Sequence, residues 1–248
     1  MMLGLVVTST LTLFAGSGLA TARRPAIQEE MRWHGWVPGG QVVEINNIHG
    51  DVRAEEASGD EIEVTAVKRG LGDPSAVAIE VVEHKGGVTI CAVYPNANPE
   101  HPFECRPSRG GGFRLASVSD SEARIRWDNG GGGDILLNNL SVDFVVRLPR
   151  HLRLIARTVD GEVSAHLLEQ DVDAHSVRGD VTVDMNPSLG ADVRAETAMG
   201  EVDSAFPLPV RLDPNRGLFM AGHVGHAHRL IRLKTGTGNI HLDRALGS

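Results

Sequence analysis

The sequence is poor in aromatic residues, in cysteine and in basic residues. Only 4% of its 248 residues are Phe, Trp or Tyr, whereas glycine occurs 29 times and cysteine twice. This balance disfavours a helical core and favours closely stacked strands and turns. The 24 Lys and Arg residues are outnumbered by 32 Asp and Glu residues, which gives a net charge of −8. The composition therefore argues against a nucleic-acid partner, because phosphates require a basic surface.

A turn with a polar residue, glycine, an acidic residue and valine recurs along the chain. It is most regular between Val142 and Ser204, where short runs of alternating apolar and polar residues lie between the turns. The turn glycines are Gly50, Gly161, Gly179 and Gly200, with weaker copies at Gly222 and Gly238. Tight turns often need a positive φ, which strains any residue that has a Cβ. The pattern indicates an internal repeat of strands.

The repeat period of about 20 residues sets the fold expectation, because it fits two or three short strands with their turns. That is the size of one coil of a β-solenoid, whose coils must stack to bury their apolar residues. We predict an all-β fold, a β-solenoid or β-helix-like stack of short strands joined by Gly-Asp/Glu-Val turns. The alternative is a β-sandwich whose hairpins share the same turn chemistry.

The first 22 residues carry no charged side chain and end in Ala20-Thr21-Ala22. An apolar region followed by an A-x-A site is typical of a signal peptide, although the usual basic n-region is missing. A membrane anchor is the other interpretation, but polar residues interrupt the apolar stretch, which is marginal for crossing about 30 Å. We predict cleavage after Ala22 and export to the periplasm, the extracellular medium or the cell surface, with no stable membrane span afterwards.

The rest of the chain divides into three predicted segments. Residues 23–105 form N-terminal β repeats, residues 106–133 a glycine-rich flexible insert with a brief strand near Arg124 to Trp127, and residues 134–248 a C-terminal β-repeat domain. Within the first segment, Trp33 and Trp36 are predicted to cap an open end of the core. The alternative for these two tryptophans is a ligand-stacking pair.

Cys91 and Cys105 are the only cysteines. In an exported chain, two cysteines with no third one left over predict a single disulfide. The competing hypothesis of a metal site needs four ligands, and only His101 lies nearby in the sequence.

A histidine cluster is the most suggestive group of possible metal ligands. His223, His226 and His228 follow one another closely, and alternation along a strand would place His226 and His228 on one face. Such a pair is half of a zinc or copper site. No carboxylate or thiol lies in this run to complete the shell, and the neighbouring arginines disfavour a cation. We therefore predict no metal site and keep a metal-binding envelope protein as an alternative.

The acidic residues that follow the turn glycines are predicted to line up in rows. They are Asp51, Glu162, Asp180 and Glu201. Stacked carboxylates bind calcium in some repeat proteins and hydrolyse glycosides in others. The calcium-binding repeat pattern is absent, however, and an acid beside a turn glycine is explained by turn chemistry. No GxSxG, HExxH or phosphate-binding glycine loop occurs either, so we predict no catalytic residues and no cofactor.

The order of several motifs resembles that of the bacterial putative adhesin family. Its members are exported β-strand-repeat proteins, and their shared domain has no assigned function. The motifs are Trp-x-x-Trp-Val-Pro-x-Gly at residues 33–40, the run from Ile45 to Val52, the block from Ile90 to Pro95 with a later cysteine, the strand from Val142 to Pro149 and the Gly-Asp/Glu-Val repeats. The resemblance covers roughly residues 32–242.

The resemblance implies a solenoid-like all-β protein in or outside the bacterial envelope. It implies no catalytic residues. We expect a non-catalytic protein with an adhesin-like interaction or scaffold role, whose partner is an unknown protein or a cell-envelope polysaccharide. A carbohydrate-active β-helical enzyme that uses stacked Asp and Glu is the enzymatic alternative.

Overall fold

A computed structural model describes most of the chain. The described residues are 27–95, 105–107, 113–119, 122–127, 132–136, 139–166, 168–214, 217–226 and 229–245. The predicted signal peptide, residues 1–22, lies outside them. Within this part the helical elements are two short 3₁₀ helices, Pro74–Ala76 and Pro187–Leu189. No helix there has the length and apolar character needed to cross a membrane.

Twenty strands make up most of the described chain. They are β1 (Ile27–Gly35), β2 (Val42–Asn46), β3 (Val52–Glu56), β4 (Ile62–Gly70), β5 (Ala78–His84), β6 (Gly87–Val93), β7 (Phe113–Ser119), β8 (Glu122–Trp127), β9 (Gly132–Leu136), β10 (Leu140–Leu148), β11 (Arg153–Asp160), β12 (Val163–His166), β13 (Val172–Arg178), β14 (Val181–Met185), β15 (Ala191–Met199), β16 (Val202–Ser204), β17 (Val210–Asp213), β18 (Gly217–Val224), β19 (Leu230–Thr237) and β20 (Ile240–Arg244). The prediction of an all-β fold is confirmed.

Two large mixed sheets carry the core. The eight-stranded sheet has the order β1-β4-β10-β3-β12-β14-β20-β16, and the nine-stranded sheet has the order β17-β18-β15-β19-β13-β11-β2-β6-β5. Alternate apolar residues of both sheets form one hydrophobic cluster. Both sheets contain strands from before and after residues 106–133. Two open mixed sheets fit a β-sandwich, the alternative stated from the sequence.

Strand β10 shows why the period-two pattern decides this architecture. Leu140, Val142, Phe144, Val146 and Leu148 are all buried, and the residues between them are more exposed. Alternation along a strand sends successive side chains to opposite faces. Burial of each large apolar side chain contributes about 1.5 to 3 kcal/mol, so the pattern fixes which face of β10 meets the core.

Five pairs of consecutive strands follow the same path. In each pair the first strand lies in the nine-stranded sheet, a glycine turn follows, and the second strand lies in the eight-stranded sheet. The pairs are β2–β3, β11–β12, β13–β14, β15–β16 and β19–β20. Neighbouring pairs run parallel in both sheets, as where β11 lies beside β13 and β12 beside β14. Each pair is thus one structural unit of the predicted repeat.

The turn glycines of these five pairs form a column. Their order in space is Gly50 (φ 117°), Gly161 (φ 158°), Gly179 (φ 144°), Gly238 (φ 148°) and Gly200 (φ 153°). Backbone hydrogen bonds join successive turns, such as the Gly161 amide to the Arg178 carbonyl at 2.9 Å. The predicted equivalence of Gly161, Gly179 and Gly200 is confirmed, and Gly50 and Gly238 belong to the same set.

The predicted copy at Gly222 is wrong. Gly222 lies inside β18, opposite Val193 of β15, and not in a turn. The Leu208 side chain lies against it. A glycine within a strand often marks a place where another part of the chain approaches closely, which explains this residue without a turn.

A buried row of hydroxyl groups supports the glycine column. Each hydroxyl donates to the carbonyl of the glycine in the neighbouring turn: Thr158 to Gly50 at 2.9 Å, Ser176 to Gly161 at 2.8 Å, Thr235 to Gly179 at 2.8 Å and Thr197 to Gly238 at 2.8 Å. At the end of the column the Asn47 amide donates to the Gly50 carbonyl at 3.0 Å. These bonds satisfy carbonyl groups that tight stacking removes from water.

The two tryptophans near the N-terminus have different environments. Trp33 of β1 is half-buried, packs against the core, and places its ring over Gly35. Trp36 is 66% exposed. The predicted cap over the core therefore holds for Trp33 and is wrong for Trp36, because β1 ends at Gly35 and Trp36 follows it on the surface.

Part of the predicted flexible insert forms a small sheet of its own. Strands β7, β8 and β9 pair antiparallel in the order β7-β8-β9. The strand expected near Arg124 to Trp127 lies within β8. The glycine runs predicted to be flexible fall largely outside the described residues.

The expected disulfide is present between Cys91 of β6 and Cys105, with a Cα–Cα distance of 5.7 Å. It fastens the chain that leaves β6 back onto the nine-stranded sheet. Its Sγ atoms lie at the outer face, where Cys105 is close to the backbone of Glu80 and Thr89. The described residues contain no other cysteine.

Replacing Cys91 and Cys105 together by alanine is expected to lower the free energy of unfolding by about 3 kcal/mol. The reason is that a link across 14 residues restricts the unfolded chain. Urea denaturation followed by circular dichroism measures the difference, and reduced wild-type protein is the control that should match the variant. Equal stability of the oxidised wild type and the variant would contradict the prediction.

Candidate interaction surface

The outer face of the eight-stranded sheet carries side chains in register across many strands. One row, here named the charged row, contains Glu63, Arg147, Glu55, His166, Asp184 and Asp243. The adjacent row, named the hydroxyl row after its residues Thr65, Ser164 and Thr182, also contains Val145, Arg53 and His241. It is separate from the buried hydroxyl groups behind the glycine column. Neighbouring strands are about 4.8 Å apart, so both rows repeat at that spacing.

Cross-strand pairs hold the charged row in place. Arg147 donates to Glu55 at 3.1 Å and to Glu63 at 3.0 Å, and these two hydrogen bonds, the one to Glu63 first, raise the pKa of Arg147. His166 Nδ1 lies 2.6 Å from Asp184 Oδ2. Pairs at the surface add little to stability because water and salt screen them. Their effect here is to orient the side chains of the face.

The acids that follow the turn glycines also line up, as expected from the sequence. Asp51 Oδ1 accepts a hydrogen bond from the Glu162 amide at 2.8 Å, and Asp180 Oδ1 accepts one from the Asn239 amide at 2.7 Å. Each carboxylate thus bonds to the backbone of the next turn. This is turn chemistry that joins neighbouring units of the repeat.

The enzymatic alternative depends on carboxylates of this face. Asp180 contacts a backbone amide, and Asp184 pairs with His166 at 2.6 Å. The geometry therefore gives both groups a structural partner and adds no support for glycoside hydrolysis.

A buried polar cluster lies on the other large sheet, which sequence reasoning missed. Glu44 of β2 and Arg157 of β11 are both 3% exposed in their side chains, and Arg157 Nη1 lies 2.7 Å from Glu44 Oε1. Asn46 donates to Glu44 at 3.1 Å, and Thr89 donates to it at 3.2 Å. The sequence signal that could have indicated this buried pair was a charged residue at the centre of each of two apolar runs. Buried charges need such partners because desolvation is costly.

His175 of β13 lies beside this cluster and is buried. Burial, together with the positive charges of Lys234 and Arg157, lowers the pKa of His175 to about 3. The imidazole is therefore neutral in the folded protein at neutral pH. The unfolded chain, in contrast, titrates this group at the ordinary value of 6.5.

Acidification is expected to destabilise the protein through His175. As pH falls below 6.5, the unfolded chain binds the proton before the folded protein does. The contribution of neutral His175 to the free energy of unfolding is therefore complete above pH 6.5, and it declines toward pH 3 by up to about 1.4 kcal/mol per pH unit. His175→Gln should reduce this slope in urea titrations between pH 7 and pH 4. The exposed His34→Gln serves as the control and should keep the wild-type slope. An unchanged slope in His175→Gln would refute the assignment.

The predicted histidine cluster is only partly described. His223 of β18 pairs with Asp192 of β15, with Nδ1 2.8 Å from Oδ1, and this hydrogen bond raises the pKa of His223. His226 is exposed in the turn that follows β18, and His228 lies outside the described residues. In the part of the chain that the structure describes, no group of three or more possible ligands is close enough to hold a metal ion.

Comparisons with known proteins give two distant structural matches. No family model and no curated protein matches the sequence. A crystal structure of a putative cell adhesion protein from Clostridium sporogenes has 12% identity and a TM-score of 0.49, covering 88% of this chain and all 100% of that chain. One of a putative adhesin from Bacteroides fragilis has 8% identity and a TM-score of 0.23, covering 86% and 97%. Identities and TM-scores this low transfer neither a family nor any residue role to this chain.

Proposed function

We propose that this chain is an exported, non-catalytic protein of the cell envelope or secreted fraction with an adhesin-like interaction or scaffold role. The observation that carries the proposal is the outer face of the eight-stranded sheet. Its charged row and hydroxyl row repeat in register over adjacent strands. Such a face suits a partner that is itself extended and repetitive.

The architecture supports this proposal because it makes the face rigid. Hydrogen-bonded turns and buried hydroxyl groups join the five strand pairs side by side. We infer that the pairs stack in the manner of β-solenoid coils, each burying its neighbour's apolar residues. A partner then meets side chains that are already ordered, which lowers the entropic cost of binding.

The Cys91–Cys105 disulfide supports the export part of the proposal. Disulfides form and persist in oxidising compartments and are rare in the reducing cytosol. The predicted cleavage after Ala22 belongs to the same hypothesis. Intact-mass measurement of protein recovered from the cell envelope or the medium tests it, and a chain that still begins at Met1 or Met2 and stays in membranes would refute it.

The side chains of the face favour a polysaccharide over other partners. The hydroxyls of Ser164 and Thr182 lie between the charged row and the row of turn acids. Hydroxyl groups donate hydrogen bonds to sugar hydroxyls and accept them, carboxylates accept them, and the repeat of both kinds of group at about 4.8 Å follows the strands. We propose a cell-envelope polysaccharide as the partner class, with an envelope protein as the other outcome of the test.

The test is a retention assay on isolated cell-wall material and on whole cells. Thr182→Lys places a long cation at the centre of the face, and its matched control Thr237→Lys changes an exposed threonine at the end of β19. We expect Thr182→Lys to reduce retention at least tenfold and Thr237→Lys to retain wild-type binding. Equal retention of both variants would overturn the assignment of the face, and turnover of a polysaccharide would overturn the non-catalytic proposal.

A further inference from the structure

One end of the molecule combines a free strand edge with uncovered apolar residues. The nine-stranded sheet continues past β15 with β18 and β17, whereas the eight-stranded sheet ends at β16, the partner strand of β15. Among the residues that the structure describes, strand β17 therefore has a neighbour on one side only, β18. Its outer edge exposes backbone groups that another strand can pair with.

The apolar side chains of β17 face the side where the eight-stranded sheet is missing. Leu212 is 77% exposed and Val210 is 43% exposed, and both stand opposite core-facing residues of β18 in the register. Phe206 and Leu208 come before β17 and pack against the core, Leu208 over Gly222 of β18. Leu208 thus lies against β18, whereas Val210 and Leu212 of β17 stay exposed. Large exposed apolar side chains at a free edge mark an interaction site.

We propose that β17 pairs with β17 of a second copy of this chain about a two-fold axis. The reason is the sequence Val210-Arg211-Leu212-Asp213, which is complementary to itself when two copies run antiparallel. With Leu212 on the axis, Leu212 of one copy lies opposite Leu212 of the other. Arg211 of each copy then lies opposite Asp213 of the other copy. Directly opposite residues of an antiparallel pair lie on the same face, so the charges meet on one side and the leucines on the other.

The chain around β17 limits this pairing to one register. Pro209 and Pro214 flank the strand and have no amide hydrogen to donate. A shift by one residue would place the leucines on the wrong face, and a shift by two would set Arg211 opposite Arg211 or Asp213 opposite Asp213. A closed two-fold pair also uses up the edge, so assembly stops at a dimer and does not continue into a fibre.

The first test uses crosslinking of full-length mature protein. Leu212→Cys puts two thiols on the axis, where Cα atoms of opposite antiparallel residues lie about 4.5 to 5.5 Å apart, within reach of a disulfide. The control Met199→Cys adds another highly exposed thiol on a different strand, since Met199 at the end of β15 is 65% exposed and Leu212 is 77% exposed. We expect Leu212→Cys to form a disulfide-linked dimer at least tenfold faster than Met199→Cys under air oxidation. Equal rates would overturn the proposal.

A charge exchange provides the second test, read by sedimentation equilibrium over a range of protein concentrations. Arg211→Asp brings two carboxylates together at each contact and should abolish the dimer, as should Asp213→Arg. The double variant restores opposite charges and should recover the wild-type dimer. A wild type that stays monomeric at all concentrations, or a double variant that does not recover, would overturn the two-fold pair. Circular dichroism of each variant shows whether it is folded, and the crosslinking result decides if Asp213→Arg is not.

Discussion

Replacing Gly179 by alanine is expected to lower the free energy of unfolding by about 2 to 6 kcal/mol. Gly179 has a φ of 144°, and a Cβ there would lie 2.0 Å from the carbonyl oxygen of Gly161. The backbone strain costs about 1 to 3 kcal/mol, and the displaced turn loses close packing worth about 1 to 3 kcal/mol more. Urea denaturation followed by circular dichroism measures the loss.

Gly59→Ala is the matched control for this substitution. Gly59 lies in a surface loop, and a Cβ built on it meets nothing within 4 Å. We expect its stability to stay within about 0.5 kcal/mol of wild type. Similar, small effects of both substitutions would show that the glycine column does not constrain the fold.

Replacing Arg157 by methionine is expected to lower the free energy of unfolding by about 3 to 5 kcal/mol. The change removes the ion-pair partner of Glu44, 2.7 Å away, and leaves a carboxylate buried without its charge partner. Changing Glu44 to leucine as well removes the uncompensated charge. The double variant should therefore be more stable than Arg157→Met, and a double-mutant cycle from denaturation curves gives the coupling.

A surface pair of the same chemistry sets the scale for this result. Arg232 lies 3.0 Å from Asp173, and its side chain is 45% exposed. Arg232→Met is expected to change stability by no more than about 1 kcal/mol, because exposed pairs are screened by solvent. If Arg157→Met costs no more than Arg232→Met, the Glu44–Arg157 pair does not act as a buried ion pair.

Several features of the fold follow from local sequence and were predicted correctly. The alternation in Val142 to Leu148 predicts a strand with a buried face, and β10 has it. Turns at Gly161 and Gly179 follow from glycine between a polar and an acidic residue. The Cys91–Cys105 disulfide follows because the chain has only two cysteines, which leaves one possible pairing. Each of these depends on residues that are close in sequence or have no competing partner.

The positions of the polar side chains, on the candidate surface and in the interior, were predicted less completely. The sequence predicted that Asp51, Glu162, Asp180 and Glu201 form rows, and hydrogen bonds between the turns support this. The hydroxyl groups behind the glycines were missed, although each stands three residues before its glycine in the sequence. The Glu44–Arg157 pair was missed because the two residues are 113 positions apart. Only the folded chain brings them together.

The order of the units in space depends on tertiary structure alone. By sequence Gly238 comes last, yet it lies between Gly179 and Gly200 in the column. All five turns have nearly the same residues, so any of them fits beside any other, and local chemistry does not select the neighbour.

What selects the order is the pairing of the chain after Gly200. Strand β18 returns antiparallel along the outer side of β15, so the following strand β19 enters on the other side, between β13 and β15. The sequence by itself determined that the protein consists of alternating strands with glycine turns. The tertiary structure decided which turns stack, because that choice is the one that gives β18 and β19 backbone partners and buries their apolar residues together.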